Sequence, residues 1–224
     1  DVIFEDKEYD HVLEAFRTAR LSEKLRDNLR KYLQVMTKPL AVRSSGLFED
    51  SLNQPFAGVY STYLLPNNHP DFEHRLEDVE NAIKLVFASI YSPESRAYFN
   101  AIDYMIEEEK MAVIIQEVIG NEHNGRYYPE ISGVAQSYNF YPFSYIQPED
   151  GFAVTAIGLG AYVVGGEKTH RFSPAYPKLQ LASTQDKIKA SQRYFYGVNM
   201  LAQDYDLYRD GENAAIKAYD ISEA

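Results

Sequence analysis

Between Leu40 and Leu65 the sequence LAVRSSGLFEDSLNQPFAGVYSTYLL gathers the residue types that a polyphosphate site requires. A short apolar strand, Leu40-Ala41-Val42, delivers Arg43 and the hydroxyls of Ser44 and Ser45 into a polar loop that runs to Pro55. A guanidinium is a planar fork of donors matched to phosphate oxygens. Hydroxyls and loop amides add neutral donors. Gly58, where Phe56-Ala57-Gly58 re-enters a strand, lets the backbone approach a ligand with no side chain in the way. The same residues have a plainer use, a surface loop in which Arg43 pairs with Glu49 or Asp50. On chemistry alone the plainer use is the stronger expectation.

The elements that must carry these residues follow from periodicity. Glu8 to Val35 places Val12, Leu13, Phe16, Leu25, Leu29 and Leu33 at roughly helical spacing. Ser22 is positioned to cap a second helix, so two helices with a break near Leu21 are expected. Thr37-Lys38-Pro39 ends them. Gly58 to Leu65 reads as a strand closed by Pro66-Asn67-Asn68. Helical spacing returns over Asp71–Ser89 and again from Pro93 to about Glu108. Ala112 to Ile119, AVIIQEVI, is continuously apolar apart from Gln116 and Glu117, the pattern of a strand buried on both faces. Gly133–Phe140 and Phe152–Ile157 read as strands, and Gln185–Asp206 as a helix. The mixed order argues α+β or α/β, and an α+β fold with mixed sheets flanked by helices is expected.

Composition narrows the function classes. The 224 residues hold 22 Lys plus Arg against 33 Asp plus Glu, a net charge of −11, with no basic stripe. Such a chain is repelled by a phosphate backbone, so nucleic acid is not an expected partner. The absence of cysteine removes disulfides, thiolate nucleophiles and Cys-type zinc sites. The five histidines show no ligand spacing, so no metal site is assigned. No apolar run approaches the ~20 residues of a membrane span, and no signal peptide is visible, which fits the cytoplasm. Tyrosine is abundant at 19 residues, with one cluster from Tyr127 to Tyr145 and another from Tyr194 to Tyr208. Without a basic groove, half-buried packing is their expected use. The chain begins with Asp1, so an excised piece of a larger protein is expected.

The order Val-Arg-Ser-Ser, Glu-Asp, Phe-Ala-Gly and a Thr before an apolar strand resembles the ATP-grasp nucleotide-binding domain of the phosphoenolpyruvate synthase and pyruvate phosphate dikinase family. Three further segments follow in family order. SIYSPESRAYF (Ser89–Phe99) is similar to the family run that contains an arginine, here Arg96. MAVIIQEVIGNEHNG (Met111–Gly125) is similar to its nucleotide-edge strand, and ISGVAQSYNFYP leads toward Gly158-Leu159-Gly160. The resemblance spans Leu40 to about Gly166, over half the chain. It implies that Arg43, Gly58 and Thr62 contact ATP, with Ser44, Ser45 and Arg96 as further phosphate contacts. It also implies that Gln116, followed by Glu117, Val118 and Ile119, lines the adenine slot, where a strand edge can read a purine. Arg96 has an equal claim as an ordinary helix arginine, and a plain buried strand with Gln116 facing outward is the alternative for that segment.

Departures set limits on that expectation. The family glutamate after Gly-Leu-Gly is Ala161 here. Gly165-Gly166-Glu167-Lys168-Thr169-His170 imitates the family's phosphohistidine motif, but Arg171-Phe172-Ser173-Pro174 follows instead of small apolar residues, so His170 is not assigned that role. The family's Gly-Gly-Lys-Gly lysine, acidic metal ligands and closing Gln-x-Arg have no counterpart in these residues. Without them the main charge stabilisation for phosphoryl transfer is missing. The chain is therefore expected to be part of one ATP-grasp domain, with a subdomain break near 105–111 and no catalytic residue of its own, inactive alone. Mg²⁺ would be held by residues elsewhere, and the parent, which a homodimer would also suit, would supply a swivelling phosphohistidine domain and a pyruvate-binding barrel. A related dikinase or phosphotransferase with another acceptor, and a non-catalytic nucleotide-binding or structural relative, are the alternatives.

Overall fold

Local signals set the helices. In the computed structural model, which describes residues 6–47, 49, 58–102, 105–164, 169–179, 183–189 and 191–224, α1 (Asp6–Thr18) and α2 (Glu23–Val35) are separate helices. Ser22 starts the second by accepting the Leu25 N–H at 3.3 Å, the cap its position predicts. The chain then forms β1 (Leu40–Gly46), β2 (Thr62–Leu65), α3 (Phe72–Ala88), α4 (Pro93–Ala101) and β3 (Met111–Glu117). Asp71 caps α3, and Ser92 with Pro93 opens α4. Beyond these come β4 (Asn121–His123), β5 (Arg126–Tyr128), β6 (Ser132–Gln136), β7 (Phe152–Ala156), α5 (Ala161–Val164) and β8 (His170–Phe172). The last elements are α6 (Thr184–Lys189), β9 (Tyr194–Asn199), α7 (Leu207–Asp210) and β10 (Ile216–Asp220).

The chain divides into two compact units, Asp1–Val118 with Met200–Ala215, and Ile119–Asn199 with Ile216–Ala224. The 105–111 segment, where a break was expected, lies inside the first unit. That unit is built on one antiparallel sheet of order β2-β1-β3. Strand alternation sends Leu40, Val42, Tyr63 and Leu65 into the core, where they meet Leu29 and Leu33 of α2 and Leu76, Val79, Ile83 and Val86 of α3. Each such side chain removed from water contributes roughly 1.5–3 kcal/mol. The second unit holds two further antiparallel sheets, β10-β9-β5-β4 and β6-β7-β8, with Phe195, Tyr128 and Tyr219 packed together. The class is α+β as expected, and every described strand pair is antiparallel where mixed sheets were expected.

Four expectations are corrected. β1 continues through Arg43 to Gly46, because pairing with β3 carries past the apolar residues. The helix from Pro93 stops at Ala101. β3 is half-buried, since it edges a sheet whose core lies on one side. Gln185–Asp206 is not one helix: α6 ends at Lys189, and Tyr194–Asn199 is a strand paired to both β10 and β5, with Phe195 and Val198 fully buried. Its aromatic and β-branched residues favour that pleated setting over a helix. The tyrosines also part company: Tyr127 and Tyr128 are buried, whereas Tyr138, Phe140, Tyr141, Phe143 and Tyr145, between β6 and β7, are exposed.

One polar clamp fixes how β1 leaves α2. Asn67, buried at φ 53°, donates to the carbonyls of Met36 at 3.0 Å and Lys38 at 2.9 Å. Arg75 of α3 donates to Asn67 Oδ1 at 2.9 Å and to the carbonyls of Leu33 and Met36 at 3.0 and 2.9 Å. The Leu33 and Met36 carbonyls belong to the end of α2 and would otherwise lack partners. Arg75→Ala is expected to cost about 2–3 kcal/mol, since charge-assisted bonds are lost and buried acceptors are left unmet; denaturant unfolding of the full-length protein measures it.

The segment Met200–Ala215 packs in the first unit through Leu207, in the core, and through Tyr205, whose hydroxyl donates to Asp78 of α3 at 2.7 Å. Burial raises the Asp78 pKa from its ordinary value, opposed by the Tyr205 bond and by His74. A raised folded pKa gives stability that is present below the unfolded value and lost as pH rises through the folded one. The melting temperature of the wild type should therefore gain on that of Asp78→Asn as pH falls from neutral toward 4.

Candidate functional site

The register of the first sheet brings separated residues onto one face. Arg43 lies opposite Thr62 on β2 and opposite Ile114 on β3. Ala41 lies opposite Leu64 and Gln116, and Ser45 opposite Ala112. Side chains alternate along a strand, so Arg43, Ser45, Thr62 and Gln116 all project from the face away from the core. Arg43, Thr62 and Gln116 are exposed and Ser45 is half-buried. Arg43 and Gln116 are diagonal neighbours across β1 and β3, a separation of roughly 7–8 Å.

The hydrogen-bond phase brings Arg43 and Thr62 closer still. Val118 N–H donates to Pro39 at 2.8 Å, which makes the alternate pairs, including Arg43 with Ile114, the hydrogen-bonded ones toward β3. Toward β2, Arg43 and Thr62 are therefore a non-hydrogen-bonded pair, with Cα atoms about 4.5 Å apart and side chains adjacent. A guanidinium and a hydroxyl so placed can grip two oxygens of one phosphoryl group or of neighbouring ones.

The pairing of Arg43 with Glu49 does not form. Glu49 Oε1 accepts the Ser44 hydroxyl at 2.8 Å and Oε2 accepts the Gly46 N–H at 2.7 Å. Asp50 lies outside the described residues, and among those described no carboxylate pairs with Arg43. Glu109 assists by accepting the Leu47 N–H at 2.8 Å. Two carboxylates thus hold the turn after β1 through its backbone, and the guanidinium is left to the open face. Gly58 has φ +81° and nothing within 4 Å of where a Cβ would be. The conformation alone calls for glycine there, and the space beside it is open.

The remaining expected residues are placed differently. Ser44 is buried on the core side, its hydroxyl committed to Glu49. Glu117 points to the face opposite Gln116 and pairs with Lys38 at 2.6 Å. Ile119, the first residue of the second unit, is 76% exposed. Arg96 sits on α4, 18% exposed, ion-paired to Glu8 at 3.4 Å, and is not on the sheet face. His170 lies exposed in β8 with its ring stacked on Phe172, while Gly165–Lys168 of the imitating motif lie outside the described residues. In the second unit Gly158 is a packing requirement: at φ +85°, a Cβ would come within 2.7 Å of the Tyr196 carbonyl. Among the described residues no cluster of three or more His, Cys, Asp or Glu could hold a metal, and no helix is long and apolar enough to cross a membrane.

An α+β chain with this donor face fits a nucleotide-binding domain, and comparison with known proteins gives the family. The profile of the pyruvate phosphate dikinase AMP/ATP-binding domain matches residues 4–206. The chain belongs to that family. It is similar to phosphoenolpyruvate synthase of Aeropyrum pernix, 28% identical over 131 residues that cover 58% of this chain and 14% of the relative. The phosphoenolpyruvate synthase of Deinococcus radiodurans is 30% identical over 155 residues, 66% of this chain and 17% of the relative. An uncharacterized phosphotransferase of Bacillus subtilis, YvkC, is 29% identical over 151 residues, 66% of this chain and 16% of the relative. The chain thus spans 14 to 17% of the length of the curated relatives it matches.

Glu49 and Glu109 escaped the sequence reading as shapers of the loop. Glu49 had a signal, its three-residue spacing from Gly46, which suits a carboxylate folding back on a turn amide. Replacing Glu49 with Ala should speed amide exchange at Gly46 by about tenfold or more, the equivalent of one lost bond of 1.4 kcal/mol or above.

Proposed function

We propose that this chain is the ATP-binding portion of a dikinase that makes phosphoenolpyruvate from pyruvate. In that reaction ATP, pyruvate and water give AMP, phosphoenolpyruvate and phosphate. The observation that carries the proposal is the shared face of Arg43, Thr62 and Gln116, three residues up to 73 positions apart in the chain that the register of one sheet assembles, in a chain of the dikinase nucleotide-binding family.

Arg43 supplies the fixed positive charge for phosphate oxygens and Thr62 a hydroxyl beside it. Gly58 gives the phosphates a backbone approach, and Ser45 a further donor on the same face. Gln116 takes the adenosine end, with the amide and carbonyl groups of the chain that follows. A phosphoryl group leaving ATP would pass to a histidine on a swivelling domain of the parent protein and then to pyruvate in a barrel domain. Mg²⁺ suits such chemistry by offsetting phosphate charge. The described residues form no cluster to hold it, and the grip assigned to Arg43 does not depend on it. A second acceptor class stays in view through YvkC, whose name says only phosphotransferase. A nucleotide step toward such an acceptor would use the same face of this chain.

Calorimetric titration of the full-length protein with a non-hydrolysable ATP analogue tests the proposal. Arg43→Ala should weaken affinity by at least about 10-fold, as expected for loss of a charge-assisted phosphate contact of 1.5–3 kcal/mol. Unchanged affinity in that variant would rule the face out as the phosphate site.

A further inference from the structure

Thr62 is held from two directions, and the second of them has no counterpart in the sequence motifs. Because Arg43 and Thr62 form a non-hydrogen-bonded pair, the Thr62 N–H points out from the free edge of β2. Glu212 meets it there: its Oε1 accepts that N–H at 2.8 Å, across 150 residues of sequence. The preceding amide is held as well. Ser61 N–H donates to the Ser89 hydroxyl at 3.1 Å, and that hydroxyl donates to the Val86 carbonyl at 2.7 Å. The strand entry that carries Gly58 and Thr62 is therefore fixed by two successive amide contacts from distant parts of the first unit.

Glu212 is itself firmly mounted. Asp206 caps α7 by accepting the Tyr208 and Arg209 N–H groups, and Asp210 accepts the Asp206 N–H at 3.0 Å. Arg209 donates twice to Asp210 at 2.7 Å. Leu207 anchors the turn in the core, and Gly211, at φ +69°, turns the chain so that Glu212 follows. An acidic side chain is an odd neighbour for a residue that meets phosphate. Glu212 is exposed, however, and the high dielectric of water weakens its repulsion of a phosphate. A contacting group displaced by about 1 Å can cost on the order of 100-fold.

We infer that Glu212 is a positioning residue for the nucleotide site: it holds the backbone of Thr62 so that the Thr62 hydroxyl stays beside the Arg43 guanidinium. The inference rests on the ATP assignment made above for this face. Glu212 is exposed, so its replacement leaves the core intact.

The test compares Glu212→Ala, Glu212→Gln and Arg43→Ala in the full-length protein, by titration with a non-hydrolysable ATP analogue in the presence of Mg²⁺ and by amide exchange at Thr62 without nucleotide. Glu212→Ala should bind about tenfold or more weakly, as a misplaced contact does, and should exchange Thr62 faster. Glu212→Gln keeps an acceptor and should restore both. Affinity that is unchanged or tighter in Glu212→Ala, while Arg43→Ala has lost it, would overturn the role of Glu212 and leave the ATP assignment standing. Equal weakening in the Ala and Gln variants with Thr62 exchange unaltered would also overturn it, because charge and not placement would then be responsible. A wild-type protein without nucleotide affinity would overturn both.

Discussion

The candidate site depends on the register of β1. Its side chains alternate between Leu40, Val42 and Ser44 on the core side and Ala41, Arg43 and Ser45 on the other. A slip of one residue would drive Arg43 into the core among Leu76 and Val86 and put Val42 in its place on the open face. Pairing on both edges opposes such a slip, and the clamp of Asn67 and Arg75 on the Met36 and Lys38 carbonyls pins the strand where it begins. The apolar residues supply the driving force, but it is the clamp and the two neighbouring strands that say which residue faces out. A binding residue on the middle strand inherits that rigidity.

Carboxylates play an unexpected part for a chain that is already strongly acidic. Glu49, Glu109 and Glu212 each accept a backbone N–H near the ends of β1 and β2. By binding amides they satisfy groups that a turn or a free strand edge would otherwise present to solvent. They also stay off Arg43. The guanidinium thereby remains available to a ligand even though acids outnumber bases in the chain by a third of the acidic total. At physiological ionic strength that surrounding charge acts over about 8 Å, so a polyanion would meet the arginine mainly at short range.

Much of this was legible in the sequence. The first two helices and their break, α3, and the core strands follow from periodicity and caps, and the segment proposed to meet phosphate stands out by its residue types. The boundaries of β1 and the strand at Tyr194–Asn199 were not, because both are decided by partners elsewhere in the chain. Tyr194–Asn199 carries strand-favouring residues inside a stretch that was expected to be one helix, and its pairing with β5 and β10 sets its bounds. The opposed positions of Gln116 and Glu117 were implicit in strand alternation. The equivalence of Arg43 and Thr62 as partners was not, since register is a property of two strands together. Glu212 left no trace in sequence at all. Its partner is a backbone amide 150 residues away, and an amide contact places no demand on the identity of Thr62.

Shared motifs can persist for two different physical reasons, and this chain separates them. Gly158 is required by its own protein: any Cβ would press on the Tyr196 carbonyl, and the Leu159 amide donates to that same carbonyl at 2.8 Å. Ala161, two residues beyond Leu159, is exposed at the start of α5, so the fold makes no use of a carboxylate at that position and does not suffer from its lack. The Gly-Leu-Gly segment can thus keep its shape while losing whatever chemistry that acid serves in other members. Arg43 is the opposite case. It is exposed, it lies on the face away from the core, and among the described residues no acid pairs with it. Packing would accept a lysine, a glutamine or a threonine on that strand. A guanidinium next to Thr62 is what the proposed phosphate ligand would call for, since its planar fork of donors can meet two phosphate oxygens at once.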